Sequence, residues 1–221
     1  MKIKHPINLH KALTFPFVFS LMLIYDNFTI GPWVYLSLHG TYGILWLLKD
    51  RLYPDNSWEE DVPLVSVLFS FMLLSLYWVA PWLLISRGNI PPLPLIAAAI
   101  FLNLLGVFLV YTSDAQKYYT LKYQSGLITE GFFSRTRSPN YLGEIFIYTA
   151  FALLTQHWLP FAIIGLLTGV VFLPRMRQKD ASLARYPEFD EYKNRSGLLL
   201  PKLFLPSANE TQAKNPVSEP S

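Results

Sequence analysis

The 221-residue chain contains no cysteine and few charged residues. The missing cysteines exclude disulfides, thiolate metal sites and a cysteine nucleophile. Charged residues make up 15% of the chain, against roughly 25% in typical soluble domains, whereas 52% of the residues are hydrophobic and 16% are aromatic. This balance predicts that much of the surface faces lipid. The net charge of +3 is spread over short segments, which argues against a nucleic-acid partner.

Long apolar runs dominate the sequence up to about residue 174. Crossing the hydrocarbon core takes about 20 residues in a helix, and most of the runs approach that length. They predict an all-α, polytopic bundle of about six spans, with the last two forming a tight hairpin of two spans in preference to a re-entrant pair. The runs are 12–26, 29–48, 62–86, 91–112, 141–156 and 158–174.

The distribution of basic residues predicts the orientation of these spans. With six spans, nearly all Lys and Arg residues fall on one face, and Arg87 stands alone on the other. Because basic residues near span ends stay on the cytoplasmic side, both termini are expected in the cytosol. The residues assigned to the cytosolic face include Lys2, Lys4, Lys11, Lys49, Arg51, Lys117, Lys122, Arg135, Arg137, Arg175, Arg177 and Lys179.

The fourth apolar run ends in a polar sequence that could extend its helix beyond the membrane by two or three turns. On such a helix Asp114 shares a face with Lys117 and Tyr118 at i+3 and i+4 spacing. This pattern is consistent with a simple ion pair at the membrane exit or with part of a functional site.

A second polar segment precedes the fifth run. Arg135 and Arg137 come just before Ser138 and Pro139; the proline favours an extended Ser138 and can open a helix at its first position. Backbone donors at that helix start, together with two guanidinium groups, could seat a phosphate or a carboxylate. Anchoring of the loop on the cytosolic face is the simpler alternative.

Asn140, Glu144 and Tyr148 form a polar stripe with four-residue spacing along the fifth run. Glu144 lies about one turn into apolar sequence, where a charge is costly unless it is paired or protonated. The stripe predicts either a functional site or a hydrogen-bond network between helices.

Basic and aromatic residues follow the sixth run, at 174–192. They include Arg177, Asp180, Arg185, Tyr186 and Tyr192. A cytosolic helix-turn-helix of this composition could form a lid whose cations face phosphates and whose rings stack on a base. The alternative is an amphipathic helix that lies on anionic lipid.

The region 111–204 resembles the C-terminal domain of the steroid 5α-reductase family and its bacterial relatives, and is also similar to sterol C14 and C7 reductases. The resemblance rests on Arg-x-Arg-Ser-Pro-Asn-Tyr-Leu-Gly-Glu at 135–144, on Ser-Asp-x-Gln-Lys at 113–117, and on Leu-Pro-Lys-Leu-Phe at 200–204. Arg177, Asp180, Arg185, Tyr186 and Tyr192 have matching order and spacing. Ser138 stands where the family usually has histidine.

The resemblance implies an NADPH-dependent reductase that acts on an activated C=C bond of a hydrophobic, steroid- or lipid-like substrate. Glu144 and Tyr148 are then the candidate catalytic residues, and no metal is expected. The implied cofactor contacts are Asp114, Lys117, Arg135, Arg137, Asn140, Tyr141, Arg177, Asp180, Arg185, Tyr186 and Tyr192.

Two alternatives stay open at this point. The related isoprenylcysteine and phospholipid methyltransferases have a similar core and use S-adenosylmethionine; Asn140 with Glu144, and the 113–117 segment, favour the reductases. A non-catalytic membrane scaffold is the third possibility, because Ser138 replaces the usual histidine.

The chain is predicted to form one integral membrane domain at 1–205, with its cofactor-binding part at 111–204, followed by a disordered tail at 206–221. The expected location is the endoplasmic reticulum in a eukaryote or the inner membrane in a bacterium.

Overall fold

The computed structural model describes residues 1–55 and 58–203, and helices make up most of this part. No β-strand occurs within the described residues; two isolated bridges link Lys2 with Asp61 and Thr136 with Gly197. The predicted tail at 206–221 lies outside the described residues. The helices are α1 (Lys4–Ile24), α2 (Ile30–Leu52), α3 (Leu64–Ser75), α4 (Val79–Ser86), α5 (Leu93–Tyr123), α6 (Pro139–Thr155), α7 (Trp158–Leu167), α8 (Leu173–Leu183) and α9 (Phe189–Arg195).

Four helical segments in the described part are long and apolar enough to cross a membrane: Lys4–Ile24, Leu64–Ser86, Leu93–Tyr123 and Trp158–Leu183. The prediction of an all-α membrane protein is confirmed at this level. Helix α6, with 17 residues, is shorter than these four, and α2 carries polar side chains such as His39 along its length. The count of six spans remains a prediction.

Two of the four long segments are not regular α-helices throughout. A 3₁₀ turn at Leu76–Trp78 joins α3 to α4, and a π-helical turn at Thr168–Phe172 joins α7 to α8. Helix α5 has 31 residues, so the predicted extension beyond the fourth apolar run is present. The expected hairpin also forms: α6 ends at Thr155, α7 begins at Trp158, and Gln156 between them has a left-handed backbone.

Ionic contacts gather at one end of the bundle, which we call the polar end. Helix α1 begins there beside Glu59, whose carboxylate accepts hydrogen bonds from Lys2 and Lys4. These two bonds hold the pKa of the Glu59 carboxyl below its usual value. At the opposite end Asn27 Nδ2 donates to the Ile85 carbonyl oxygen over 2.9 Å. Helix α1 therefore runs from the polar end to the end of the bundle at which α4 finishes.

Helix α6 lies inside the bundle and packs most closely on α5. At their crossing, a Cβ added to Gly106 would come within 2.6 Å of the Gly143 carbonyl oxygen, and a Cβ added to Gly143 would come within 2.6 Å of the Gly106 carbonyl oxygen. Both glycines are buried. Small residues of this kind let two helix backbones touch within a membrane, and this contact sets the depth at which the α6 side chains meet the other helices.

We expect Gly106→Ala and Gly143→Ala to destabilise the protein, each by about 1–3 kcal/mol, because either methyl group forces the α5 and α6 backbones apart. Gly165→Ala in α7 is the matched control, since nothing lies within 4 Å of a Cβ at that position. Thermal unfolding in detergent measures the difference. Equal stability of all three variants would contradict backbone contact at this crossing.

Candidate functional site

The predicted polar stripe lies on one helix that begins where the sequence indicates. Pro139 is the first residue of α6, and Ser138 before it lies outside helical geometry at φ −137° and ψ 57°. Tyr148 is 4% exposed, whereas Asn140 and Glu144 are half-buried. The three side chains thus line a face of α6 that is turned toward the interior of the bundle.

Lys11 of α1 makes the direct contact with this face. Its Nζ donates a hydrogen bond of 2.8 Å to Tyr148 Oη and lies 4.0 Å from the centre of the Tyr42 ring. A Cβ on Gly43 would lie 2.6 Å from the Lys11 carbonyl oxygen, so the absence of a side chain at Gly43 lets α1 and α2 approach closely here. Lys11 is only 4% exposed, and a lysine this deep needs partners of this kind.

A second buried ion pair lies beside the first contact. Lys49 of α2 donates a hydrogen bond to Asp114 Oδ2 of α5, and both residues are at most 8% exposed. Glu144 interacts electrostatically with Lys11 first and with Lys49 second. We call Lys11, Lys49, Asp114 and Glu144 the buried charge cluster; its members come from four helices, and it contains two basic and two acidic residues.

Aromatic rings close the cluster on the side of the membrane interior. The Tyr77 ring stacks on the Tyr148 ring with centroids 3.5 Å apart and planes 8° apart. Both tyrosines line a small cleft, which we call the apolar cleft. Its lining is Leu76, Tyr77, Ala80, Tyr148, Phe151, Pro160, Ile163 and Ile164. Tyr148 thus touches both an apolar space and a buried ammonium group.

A second small cleft lies at the polar end, and we call it the polar cleft. Its lining includes Asn8, Trp46, Lys49 and Asp50. Trp46 Nε1 donates to Asn8 Oδ1 over 3.1 Å, and Asn8 Nδ2 donates to Asp50 Oδ2 over 2.8 Å. Since Lys49 belongs to the buried charge cluster, the polar cleft reaches the edge of that cluster.

Arg137 fastens the C-terminal segment to the start of α6. Its Nε donates to both carboxylate oxygens of Asp180 over 3.0 Å, and its Nη1 donates to the Ser196 carbonyl oxygen over 2.6 Å. Lys179 Nζ donates to the Arg137 carbonyl oxygen over 2.7 Å. The guanidinium predicted to contact a phosphate is thus engaged with side-chain and backbone acceptors of the protein.

Tyr192 of α9 makes a second contact with the same region. Its hydroxyl donates to the Phe133 carbonyl oxygen over 2.8 Å, and burial raises the pKa of that hydroxyl to about 12. The Arg137 amide donates to the Gly197 carbonyl oxygen over 2.8 Å, and the Gly197 amide donates to the Arg135 carbonyl oxygen over 2.9 Å. The predicted helix-turn-helix is present as α8 and α9, and it packs on residues 133–137. Its closure over a cofactor stays a prediction.

The other predicted cofactor contacts lie around this region without meeting in one place. The Arg135, Arg177 and Arg185 side chains are exposed, and the Arg185 guanidinium lies 4.9 Å from the Tyr186 ring centre. Lys117 Nζ pairs with Asp55 Oδ2 over 2.7 Å, so Lys117 and Asp114 have separate partners instead of each other. Tyr141 packs its ring 5.0 Å from Phe172.

Two polar side chains near the start of α6 lack a protein partner among the described residues. Ser138 Oγ and Asn140 Oδ1 are buried and accept or donate no hydrogen bond there. Unpaired buried atoms are uncommon and are costly unless a ligand or water satisfies them. An amide oxygen and a hydroxyl at this point could therefore contact a bound polar group.

The contribution of Lys11 in α1 to the site was not predicted from the sequence. Lys11 and Lys49 were assigned to the cytosolic rim because each borders an apolar run. On a helix, however, Lys11 shares a face with Ile7, Thr14, Val18 and Leu21, all of which are buried. Helical spacing from these neighbours was the signal that could have identified Lys11 as an inward-facing cation.

We expect Arg137→Ala and Asp180→Ala each to loosen the 189–199 segment, because either change leaves the partner charge buried and unpaired at a cost of about 3–5 kcal/mol. Limited tryptic digestion should then cut faster after Lys193 and Arg195. Arg177→Ala, which removes an exposed cation from α8, serves as the control. Unchanged cleavage rates in both variants would contradict the fastening role of this pair.

A comparison with protein families matches residues 50–196 to the family described as "Protein of unknown function (DUF1295)". No curated protein matches the chain. The matched region contains the α5–α6 crossing, the Arg137–Asp180 pair and α9, and its N-terminal boundary falls at the end of α2. The match covers well over half of the chain, and the chain therefore belongs to the DUF1295 family, which is associated with steroid 5α-reductase-like proteins.

Proposed function

We propose that the protein is a membrane-embedded, NADPH-dependent reductase of an activated C=C bond in a hydrophobic, steroid- or lipid-like substrate. The observation that carries this proposal is the position of Tyr148, which lines the apolar cleft and accepts a hydrogen bond from Lys11 Nζ. An apolar molecule in the cleft would meet a phenol as its nearest proton donor. Reduction of a conjugated alkene requires these two features together: an apolar surface that binds the substrate and an acid held beside it.

Tyr148 is suited to act as this acid because of how its hydroxyl is bonded. Lys11 supplies a hydrogen bond to the phenolic oxygen, so the phenolic hydrogen can be donated to a substrate carbonyl oxygen. The ammonium then stabilises the phenolate that is left, and the surroundings exclude water, which strengthens that interaction. Glu144, one turn away on α6, interacts with Lys11 and keeps the cation neutralised in the resting state.

Residues around the start of α6 supply plausible contacts for the cofactor. Bound NADPH would supply the hydride to the β-carbon and Tyr148 the proton to the carbonyl oxygen; tautomerisation of the resulting enol would then complete the saturation of the double bond. Asn140 Oδ1 and Ser138 Oγ, both buried and unpaired among the described residues, suit a carboxamide group. Arg135 and Arg177, both exposed at the polar end, suit the phosphates.

Binding requires the polar end to open. Each of the two clefts has about 10 Å³ of free space, room for about one water molecule, whereas typical ligand pockets have roughly 300–1,000 Å³. Arg137, Lys179 and Tyr192 hold α8 and α9 against residues 133–137, and release of these ties would widen the space next to Asn140. The segment predicted as a lid is the part of the chain that this opening would move.

Titration of the purified protein with NADPH should raise its thermal stability, by about 2.7 kcal/mol when the ligand reaches 100 times its dissociation constant. Asn140→Ala should weaken this stabilisation, whereas Arg87→Ala at the opposite end should leave it intact. S-adenosylmethionine is titrated in parallel. Stabilisation by S-adenosylmethionine alone would replace the reductase with a methyltransferase, and no response to either compound would favour a scaffold.

Tyr148→Phe should lower kcat for NADPH-dependent reduction of a hydrophobic enone, such as a 4-en-3-one steroid, by about 10²–10⁴-fold. KM should change little, because the proton donor acts in the transition state. Tyr123→Phe, at a tyrosine that is 79% exposed, is the control. A Tyr148→Phe enzyme with normal kcat would exclude the phenol as the acid.

A further inference from the structure

Tyr148 must regain a proton after each turnover, and its position makes this difficult. The residue is 4% exposed, and the Tyr77 ring covers one of its faces at 3.5 Å. The other rings around it belong to Phe151, Tyr42 and His39. A proton from bulk water therefore has to pass through a side chain that touches the phenol.

Lys11 is a side chain that touches the phenol and can carry a proton. Its ammonium donates to the phenolic oxygen over 2.8 Å, so transfer of that hydrogen along the existing bond restores the phenol without any movement of the chain. The ammonium also lies 4.0 Å from the Tyr42 ring centre and 5.2 Å from the Trp46 ring centre. These rings hold the cation in place and separate it from the surroundings.

Trp46 connects this buried lysine with the polar cleft. The indole lies between two cations, with Lys11 Nζ 5.2 Å and Lys49 Nζ 4.6 Å from the centre of its ring. Trp46 and Lys49 both line the polar cleft, and Asn8 fixes the indole through a 3.1 Å hydrogen bond. Lys11 is thus one aromatic ring away from a space that reaches the polar end.

Two carboxylates lie near the two lysines. Glu144 lies one helical turn before Tyr148, the residue that Lys11 contacts, and Asp114 pairs with Lys49. Tyr42 Oη and His39 Nε2, which neighbour the same region, are buried without a hydrogen-bond partner among the described residues. Buried polar atoms of this kind are commonly satisfied by internal water, which would also complete a proton path.

We infer that Lys11 is the internal proton source for Tyr148 and is itself recharged from the polar cleft through the buried charge cluster. This inference rests on the proposed function of Tyr148. In the first two transfers, the phenol gives its proton to the substrate, and the Lys11 ammonium gives one to the phenolate. Water in the polar cleft then protonates the Glu144 carboxylate, which passes that proton to the neutral amine and becomes a carboxylate again. Each cycle takes up one proton from water and leaves every side chain in its starting state.

Hydroxyl exchange in the full-length protein tests this path without any substrate. The protein is labelled with ¹³C at tyrosine Cζ, where exchange of the hydroxyl hydrogen for deuterium shifts the NMR signal, and Tyr148→Phe identifies the signal of Tyr148. The Tyr35 hydroxyl is the internal reference, because it is also buried and its hydrogen-bond partner, at 3.0 Å, is His39 Nδ1 instead of Lys11. On transfer to D₂O, the Tyr148 hydroxyl should exchange faster than that of Tyr35.

Removal of the relay should slow this exchange by about 10²-fold. Lys11→Met and Glu144→Gln are the test variants, and Lys122→Met, at the exposed end of α5, is the control for loss of a lysine. Exchange at the wild-type rate in either test variant would overturn the inference. If Lys11→Met does not fold, two measurements still test the inference: exchange in Glu144→Gln, and the comparison of Tyr148 with Tyr35 in the wild type. Equal protection of these two hydroxyls from exchange also overturns the inference.

Failure of this inference can be separated from failure of the proposed function. The reductase assignment depends on cofactor stabilisation and on the kcat of Tyr148→Phe, whereas the relay depends on exchange rates measured without cofactor. Slow exchange with normal reductase activity would mean that the proton reaches Tyr148 by another route. Fast, Lys11-dependent exchange without a response to NADPH would retain the proton path and remove the reductase.

Discussion

Pairing of buried charges is the constraint on which the rest of this structure depends. An unpaired lysine or carboxylate inside a membrane bundle is very costly, yet Lys11, Lys49, Asp114 and Glu144 all lie within the helices. They are accommodated because Lys49 of α2 pairs with Asp114 of α5, Lys11 of α1 bonds to Tyr148 of α6, and Glu144 of α6 lies near both lysines. The four helices have to take one arrangement for all of these contacts to form, which makes the cluster a determinant of the fold as well as of the chemistry.

The close helix contacts make this pairing possible. Gly43 brings the α2 backbone against the Lys11 carbonyl oxygen, and Gly106 with Gly143 brings α5 against α6. These contacts fix the height of Lys11, Asp114 and Glu144 relative to one another. Because hydrophobic burial does not distinguish one helix register from another in lipid, backbone contact at glycine and charge pairing have to supply that specificity.

The sequence predicted the features that depend on local pattern and missed those that depend on contacts between distant helices. The start of α6 at Pro139, the long α5 and the hairpin at Gln156 follow from residue type and spacing. The partners of Asp114 and Lys117 do not, because Lys49 and Asp55 come from a segment some 60 residues earlier. Arg137 illustrates the same limit: its position in a motif indicates a functional arginine, but only the fold reveals that its guanidinium faces Asp180 and Ser196.

The contact between Gly106 and Gly143 has a mechanical consequence. Two helices whose backbones touch cannot slide or separate without losing that contact, so α5 and α6 behave as a single rigid body that carries Asp114, Glu144 and Tyr148 together. If the molecule widens around a ligand, the helices on either side of this pair have to move. On the C-terminal side, the π-helical turn at Thr168–Phe172 interrupts the regular hydrogen bonding of the last apolar helix, so α8 can bend there relative to α7.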